Sequence, residues 1–156
     1  MRVLDLFSGI GGFSLGLERA GMRTVAFCEI EPFCQAVLRK HWPIIPIYDD
    51  IRTLTAERLA EDGIGPVDII CGGFPCQDIS YAGDGKGIIE GTSSGLWLQF
   101  GRVISELRPA YAIVENVAAL LGRGMGQVLG DLASLGYDAE WHSLDAFYAG
   151  VQQYRP

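Results

Sequence analysis

Short apolar runs, each closed by a glycine, an acid or an amide and followed by a helical stretch, recur along this chain. That alternation limits its fold more than any other feature. Residues 3–7 form the first run, which ends in Ser8-Gly9-Ile10-Gly11-Gly12. A helical stretch follows, with Phe13, Leu17 and Ala20 at spacings of four and three, closed by Gly21. Residues 24–28 form the next run, ending at Glu29, and Pro32 opens a helix through Lys40. Residues 44–48 read as a weaker third strand with Asp49-Asp50 at its end, and residues 56–60 as a short helix. A fourth strand, 67–71, runs into a glycine-rich loop that extends to about Gly95. Residues 96–107 read as a helix stopped by Pro109, and 111–114 as a fifth strand ending at Glu115-Asn116. A helix over 127–135, ended by Gly136, and a sixth strand over 137–144 complete the pattern.

Strands alternating with helices call for a doubly wound, mostly parallel α/β sheet, here as one domain over residues 1–156. In such sheets ligands bind beyond the carboxyl ends of the strands. The unusual residues all sit at such ends: Phe7 to Gly12, Glu29, Asp50, Gly72 to Gln77, and Glu115.

Composition narrows the function classes. No stretch approaches the roughly 18 to 20 apolar residues of a membrane helix, and Asp5 interrupts any signal-peptide run, so a cytoplasmic protein is expected. Cys28, Cys34, Cys71 and Cys76 form no CxxC pair, and the chain has only two histidines, which argues against a disulfide scaffold and against a metal site. The net charge of −7 argues against a surface that grips nucleic-acid phosphates by itself.

The first strand, the loop Phe7-Ser8-Gly9-Ile10-Gly11-Gly12 and the following helix form a turn where backbone can approach a ligand closely. Glu29 can accept hydrogen bonds from both ribose hydroxyls of a nucleoside, and Asp50 one from an adenine amine. Two acids suit a nucleoside without a phosphate, since they would repel a pyrophosphate. Ser14 also stands where the dinucleotide fingerprint has its third glycine. A tight turn without a ligand and a nicotinamide site remain the alternatives at this level.

Gly72-Gly73-Phe74-Pro75-Cys76-Gln77 is the sharpest segment. A cysteine after a proline, in a glycine loop beyond a buried strand, is exposed and held, whereas Cys28, Cys34 and Cys71 read as small apolar residues. Glu115 follows an apolar strand directly, so partial burial is expected to equip it to share or donate a proton. The run Tyr81-Ala82-Gly83-Asp84-Gly85-Lys86-Gly87 suits a loop that closes over a large ligand.

These residues, taken in order, resemble the DNA cytosine-5 methyltransferase family. Asp5 to Phe13 looks like its first motif, and Glu29-Ile30 and Asp50-Ile51 look like its next two cofactor motifs. Gly73-Phe74-Pro75-Cys76-Gln77 resembles its catalytic loop, Ser94-Gly95-Leu96-Trp97 its next helix, and Glu115-Asn116-Val117 its acidic motif. Gln153-Tyr154-Arg155 looks like the start of its Gln-x-Arg-x-Arg motif.

The resemblance implies a Rossmann-like fold that binds S-adenosylmethionine, with double-stranded DNA as substrate. It implies catalytic roles for Cys76, Glu115 and Arg155. Cofactor contacts would come from Phe7, Ser8, Gly9, Gly11, Gly12, Glu29, Ile30, Asp50, Ile51, Pro75 and Leu96, and DNA contacts from Gln77, Ser80 and Lys86. The target base must leave the stack for this chemistry. The family's target-recognition region, last motifs and seventh strand would follow Pro156, so the fold is expected to be C-terminally incomplete and this length inactive alone. A second chain carrying the recognition region, or a catalytically silent cofactor-binding subunit, are the alternative arrangements. Ser93 stands where many family members have an arginine, and Gln152 where a proline is frequent.

Overall fold

A computed structural model describes residues 1–75 and 95–144. In chain order the elements are β1 (Arg2–Leu6), α1 (Gly12–Arg19), β2 (Arg23–Cys28), α2 (Pro32–His41), β3 (Ile47–Tyr48), α3 (Ala56–Glu61), β4 (Ile69–Gly73), α4 (Leu96–Leu107), β5 (Tyr111–Glu115), α5 (Leu120–Arg123) and α6 (Met125–Ser134). The five strands form one parallel sheet in the order β3-β2-β1-β4-β5. The chain winds one way from β1 to β3 and the other way from β1 through β4 to β5. The reversal lies between β1 and β4, and in open parallel sheets ligands bind beyond the carboxyl ends of the strands at such a point.

Burial on both faces explains why the central strands read as unbroken apolar runs. Leu4, Leu6 and Ile70 point to one face, where they pack with Leu59 of α3, Trp97, Phe100 and Ile104 of α4, and Val128 and Leu132 of α6. Val3, Ile69 and Cys71 face the other side, against Phe13 and Leu17 of α1. Trp97 is fully buried, and its indole N–H donates to Asp131 of α6 at 2.8 Å, so its polar atom is satisfied inside the core. Arg108 ends α4 in a left-handed conformation (φ +49°), and Pro109 prevents further helix.

Three readings need correction. Residues 137–144 form no strand. Tyr137 is tied by its hydroxyl to the Pro109 carbonyl at 2.6 Å, and Trp141 and Leu144 are exposed. A cleft of about 510 Å³, lined by Tyr111, Val114, Tyr137 and Trp141 among others, separates this segment from β5. With no neighbour to complete a ladder, apolar alternation alone does not hold a strand. For the same reason β5 is a sheet edge among the described residues, and Glu115 at its end is exposed rather than partly buried. The third strand is also shorter than residues 44–48: Ile44 is exposed, and Pro46 has no N–H to donate, although its carbonyl accepts from Phe27. No helix among the described residues is long and apolar enough to cross a membrane.

Asp5 is the one fully buried acid of β1. Its Oδ2 accepts from the Ser14 hydroxyl at 2.7 Å and from the Ser14 backbone N–H at 3.2 Å, which pins the first turn of α1 to the sheet. Its Oδ1 has no partner stronger than the thiol of Cys71, its neighbour in the β1–β4 register. Burial dominates and pushes the carboxyl up from 3.8 to about 7, against the lowering effect of the Ser14 bonds. Between those two values the folded chain holds a proton that the unfolded chain has released. The stabilisation is therefore fully present below about 3.8 and gone once the pH has risen through about 7, a loss on the order of 4 kcal/mol. Asp5→Asn retains an acceptor for Ser14 and removes the ionisation. The unfolding midpoint of the native chain is expected to fall between about pH 4 and 7, and that of Asp5→Asn to stay nearly level. Parallel curves in thermal denaturation across this range would show that Asp5 is not the source.

Candidate active site

The chain leaves β1 through Phe7 in the left-handed region (φ +52°), a conformation that costs a non-glycine residue about 1 kcal/mol. The Phe7 ring lies stacked beside Phe100 of α4, with centroids 6.3 Å apart. Ser8 is spent internally: its N–H reaches the Cys28 carbonyl at 3.2 Å and its hydroxyl the Asp5 carbonyl at 2.6 Å. Gly9 and Gly11 then turn the chain with φ of +53° and +90°. A side chain on Gly11 would meet the Trp42 ring at 2.6 Å, whereas one on Gly9 or Gly12 would meet nothing within 4 Å. The loop is therefore closed beneath, by Trp42, and open to solvent at Gly9 and Gly12.

Glu29, directly after β2, holds this loop. Its Oε2 accepts from the Gly9 N–H at 2.7 Å and its Oε1 from the Glu31 N–H at 2.8 Å, while Gln35 donates to its carbonyl at 2.6 Å. A carboxylate oxygen accepts more than one hydrogen bond, so Glu29 can hold the loop and still receive hydroxyls. Asp50 caps the 3-10 turn Ile51–Thr53, accepting from the Arg52 N–H at 2.9 Å. Ile30 is exposed beside Glu29, whereas the Ile51 side chain is buried in the core. A phosphate entering here would find the Gly9 and Ser14 amides already occupied by the Glu29 and Asp5 carboxylates. The residues fit an uncharged or cationic nucleoside, and so fit S-adenosylmethionine, whose sulfonium is positive.

The second half of the site is set by strand pairing. In the β4–β5 register Gly73 lies opposite Glu115. The Glu115 carboxylate is seated so closely over Gly73 that any side chain there would overlap its Oε2. Gly73 was not singled out from the sequence as a site residue, because a glycine in a glycine-rich loop gives no sign of which neighbour needs the space. Gly72 is equally constrained, by the Leu6 carbonyl of β1. The chain then continues through buried Phe74, whose ring tilts against Trp97 at 5.5 Å, to half-buried Pro75. Leu96 is half-buried at the start of α4. Glu115 also lines an open hollow of about 460 Å³ with Gly12, Phe13, Gly16 and Leu17, so the acid and α1 border the same space. Cys76, Gln77, Ser80, Lys86 and Arg155, together with the run from Tyr81 to Gly87, lie outside the described residues. The thiols of Cys28 and Cys71 are buried and pushed up, first by desolvation and then by neighbouring acids, which leaves them unreactive.

A glycine loop after β1, Glu29 after β2 and Asp50 after β3 stand at the carboxyl ends of the strands of a parallel α/β sheet, the place where enzymes of this architecture bind their ligands. The chain belongs to the C-5 cytosine-specific DNA methylase family, whose model matches residues 1–156. It is 38% identical to the type II methyltransferase M2.BsuMI of Bacillus subtilis (strain 168), over 99% of this chain and 40% of that protein. A DNA modification methyltransferase encoded within an E. coli prophage superposes with a TM-score of 0.70 at 29% identity, covering 86% of this chain and 38% of that one. A DNMT2 mutant of Spodoptera frugiperda shares the fold, with a TM-score of 0.67 at 22% identity over 86% of this chain and 41% of its own. The chain thus spans about two fifths of the length of these relatives.

The two turn glycines separate backbone strain from packing. Gly9→Ala meets only the left-handed penalty, about 1–2 kcal/mol. Gly11→Ala adds overlap with Trp42, a further 1–3 kcal/mol or so. Urea denaturation is expected to rank Gly11→Ala clearly below Gly9→Ala, and equal losses would mean that Trp42 moves aside freely.

Proposed function

We propose that this domain binds S-adenosylmethionine along the β1–β2 end of the sheet and serves methyl transfer to carbon 5 of a cytosine flipped out of double-stranded DNA. One observation carries the reading. The β4–β5 register sets the residues leading into Cys76 beside Glu115, and Glu115 shares a hollow with the first two turns of α1, the helix that the glycine loop leads into.

In this reading Glu29 receives the ribose hydroxyls and Asp50 the adenine amine, with Phe7 and Ile30 offering apolar surface to the base. When bound, the cofactor supplies an electrophilic methyl group on a sulfonium. Carbon 5 of cytosine is too weak a nucleophile to take it unaided. The Cys76 thiolate adds to carbon 6, and the displaced π electrons make carbon 5 nucleophilic. Glu115 holds nitrogen 3 with a proton, drawing electron density from carbon 6; an inserted base takes Glu115 out of water, the condition in which a carboxyl shares a proton. Carbon 5 then takes the methyl, its own proton leaves to a base, and the sulfur–carbon 6 bond breaks to return the thiolate. Arg155 serves the carbonyl oxygen of the base, and Gln77, Ser80 and Lys86 the DNA around it. With a net charge of −7 these 156 residues are acidic as a whole, so most phosphate contacts are assigned in this reading to other parts of the protein or to a second chain.

Two measurements test this. DNA carrying 5-fluorocytosine cannot lose its carbon 5 substituent, so the full-length protein should form a stable covalent adduct that Cys76→Ala abolishes; an adduct surviving that change removes Cys76 from the reaction. Glu29→Ala loses charge-assisted bonds worth roughly 1.5–3 kcal/mol and should weaken S-adenosylhomocysteine binding about 10- to 100-fold by calorimetry. Unchanged affinity would move the nucleoside elsewhere.

A further inference from the structure

We propose that Asn116 is a positioning residue that clamps the chain leading into Cys76 to the strand end that carries Glu115; the inference rests on the function proposed above. The Asn116 side-chain N–H donates to the Phe74 carbonyl at 2.9 Å, and its amide oxygen accepts from the Val117 N–H at 2.9 Å. With both ends of the amide engaged, its orientation is set, because a flipped amide would place like poles together at both contacts.

The Phe74 carbonyl needs such a partner. Gly73 is the last residue of β4, so the sheet ladder stops one residue earlier. Pro75 follows and contributes no N–H, so the Phe74–Pro75 peptide offers hydrogen-bonding partners only its carbonyl. The Phe74 ring is buried against Trp97. Asn116 therefore holds the backbone where the buried ring holds the side chain. Pro75, whose φ is restricted by its ring, directly follows this held carbonyl and precedes Cys76 in the chain. On the other strand, Asn116 directly follows Glu115, whose carboxylate sits over Gly73. Ladder pairing at Gly73–Glu115 and the side-chain bond at Phe74–Asn116 are consecutive cross-links between the two segments. The two links hold the Phe74–Pro75 segment, which leads into Cys76, against the strand end that carries Glu115.

The test uses the full-length protein with Asn116→Ala and Asn116→Asp, and measures the single-turnover rate of methyl transfer together with adduct formation on 5-fluorocytosine DNA. Misplacement of a reacting group by about 1 Å costs on the order of 100-fold in rate, the loss expected for both variants at neutral pH. S-adenosylhomocysteine affinity and the unfolding midpoint should stay close to native. Asn116→Asp turns an acceptor toward the Phe74 carbonyl, a repulsion that protonation converts into a donated bond. Its rate relative to native should therefore recover as the pH falls, while that of Asn116→Ala stays flat. Rates within threefold of native for both variants would overturn the clamp. So would a rate loss with no acid recovery and a matching loss of cofactor affinity, the pattern of general structural damage. Absence of an adduct in the native protein, or an adduct retained by Cys76→Ala, would overturn the proposed function and the clamp with it, and is separable from the first two outcomes.

Discussion

The pairing of β4 between β1 and β5 decides where the chemistry of this domain lies. Parallel ladders tolerate little slippage here, because Gly72 must pass under the Leu6 carbonyl and Gly73 under the Glu115 carboxylate. A shift of one residue would reverse the faces of every side chain on β4 and would place Phe74 where only a glycine fits. The same pairing brings the carboxyl ends of β1 and β4 together at the reversal point of the sheet. The glycine loop after β1 and the segment leading to Cys76 both start from there.

Two carboxylates on the cofactor side act in unlike ways. Glu29, at the rim, gives both oxygens to backbone N–H groups and organises the loop from outside. Asp5, within the sheet, grips the first turn of α1 from beneath and is held near its own titration point by burial. Between them they occupy the amides of Gly9 and Ser14, two donors that a phosphate beside the N-terminus of α1 would otherwise use. A stiff glycine turn over Trp42 completes that floor.

The outer edge of the sheet is where the described structure is least closed. β5 has a neighbour on one side only, Glu115 is exposed, and residues 137–144 lie across a cleft from it. This accounts for two of the expectations that did not hold. Burial of Glu115 and strand formation at 137–144 both require backbone on the far side of β5, and neither property resides in the residues themselves.

By itself the sequence determined the order of the five strands and of helices α1 to α4 and α6, because two-face burial writes continuous apolar runs, and helix termini write Pro32, Pro109, Gly21 and Gly136. It also marked Glu29, Asp50, Glu115 and the Pro75-Cys76 pair, since acids and prolines at strand ends have few structural uses. Only the tertiary structure decided that Ser14 serves Asp5, that Gly73 makes room for Glu115, and that Asn116 reaches Phe74. Each is a contact between segments separated by at least nine residues, created by strand register and crossover geometry. Local periodicity carries no record of such distances.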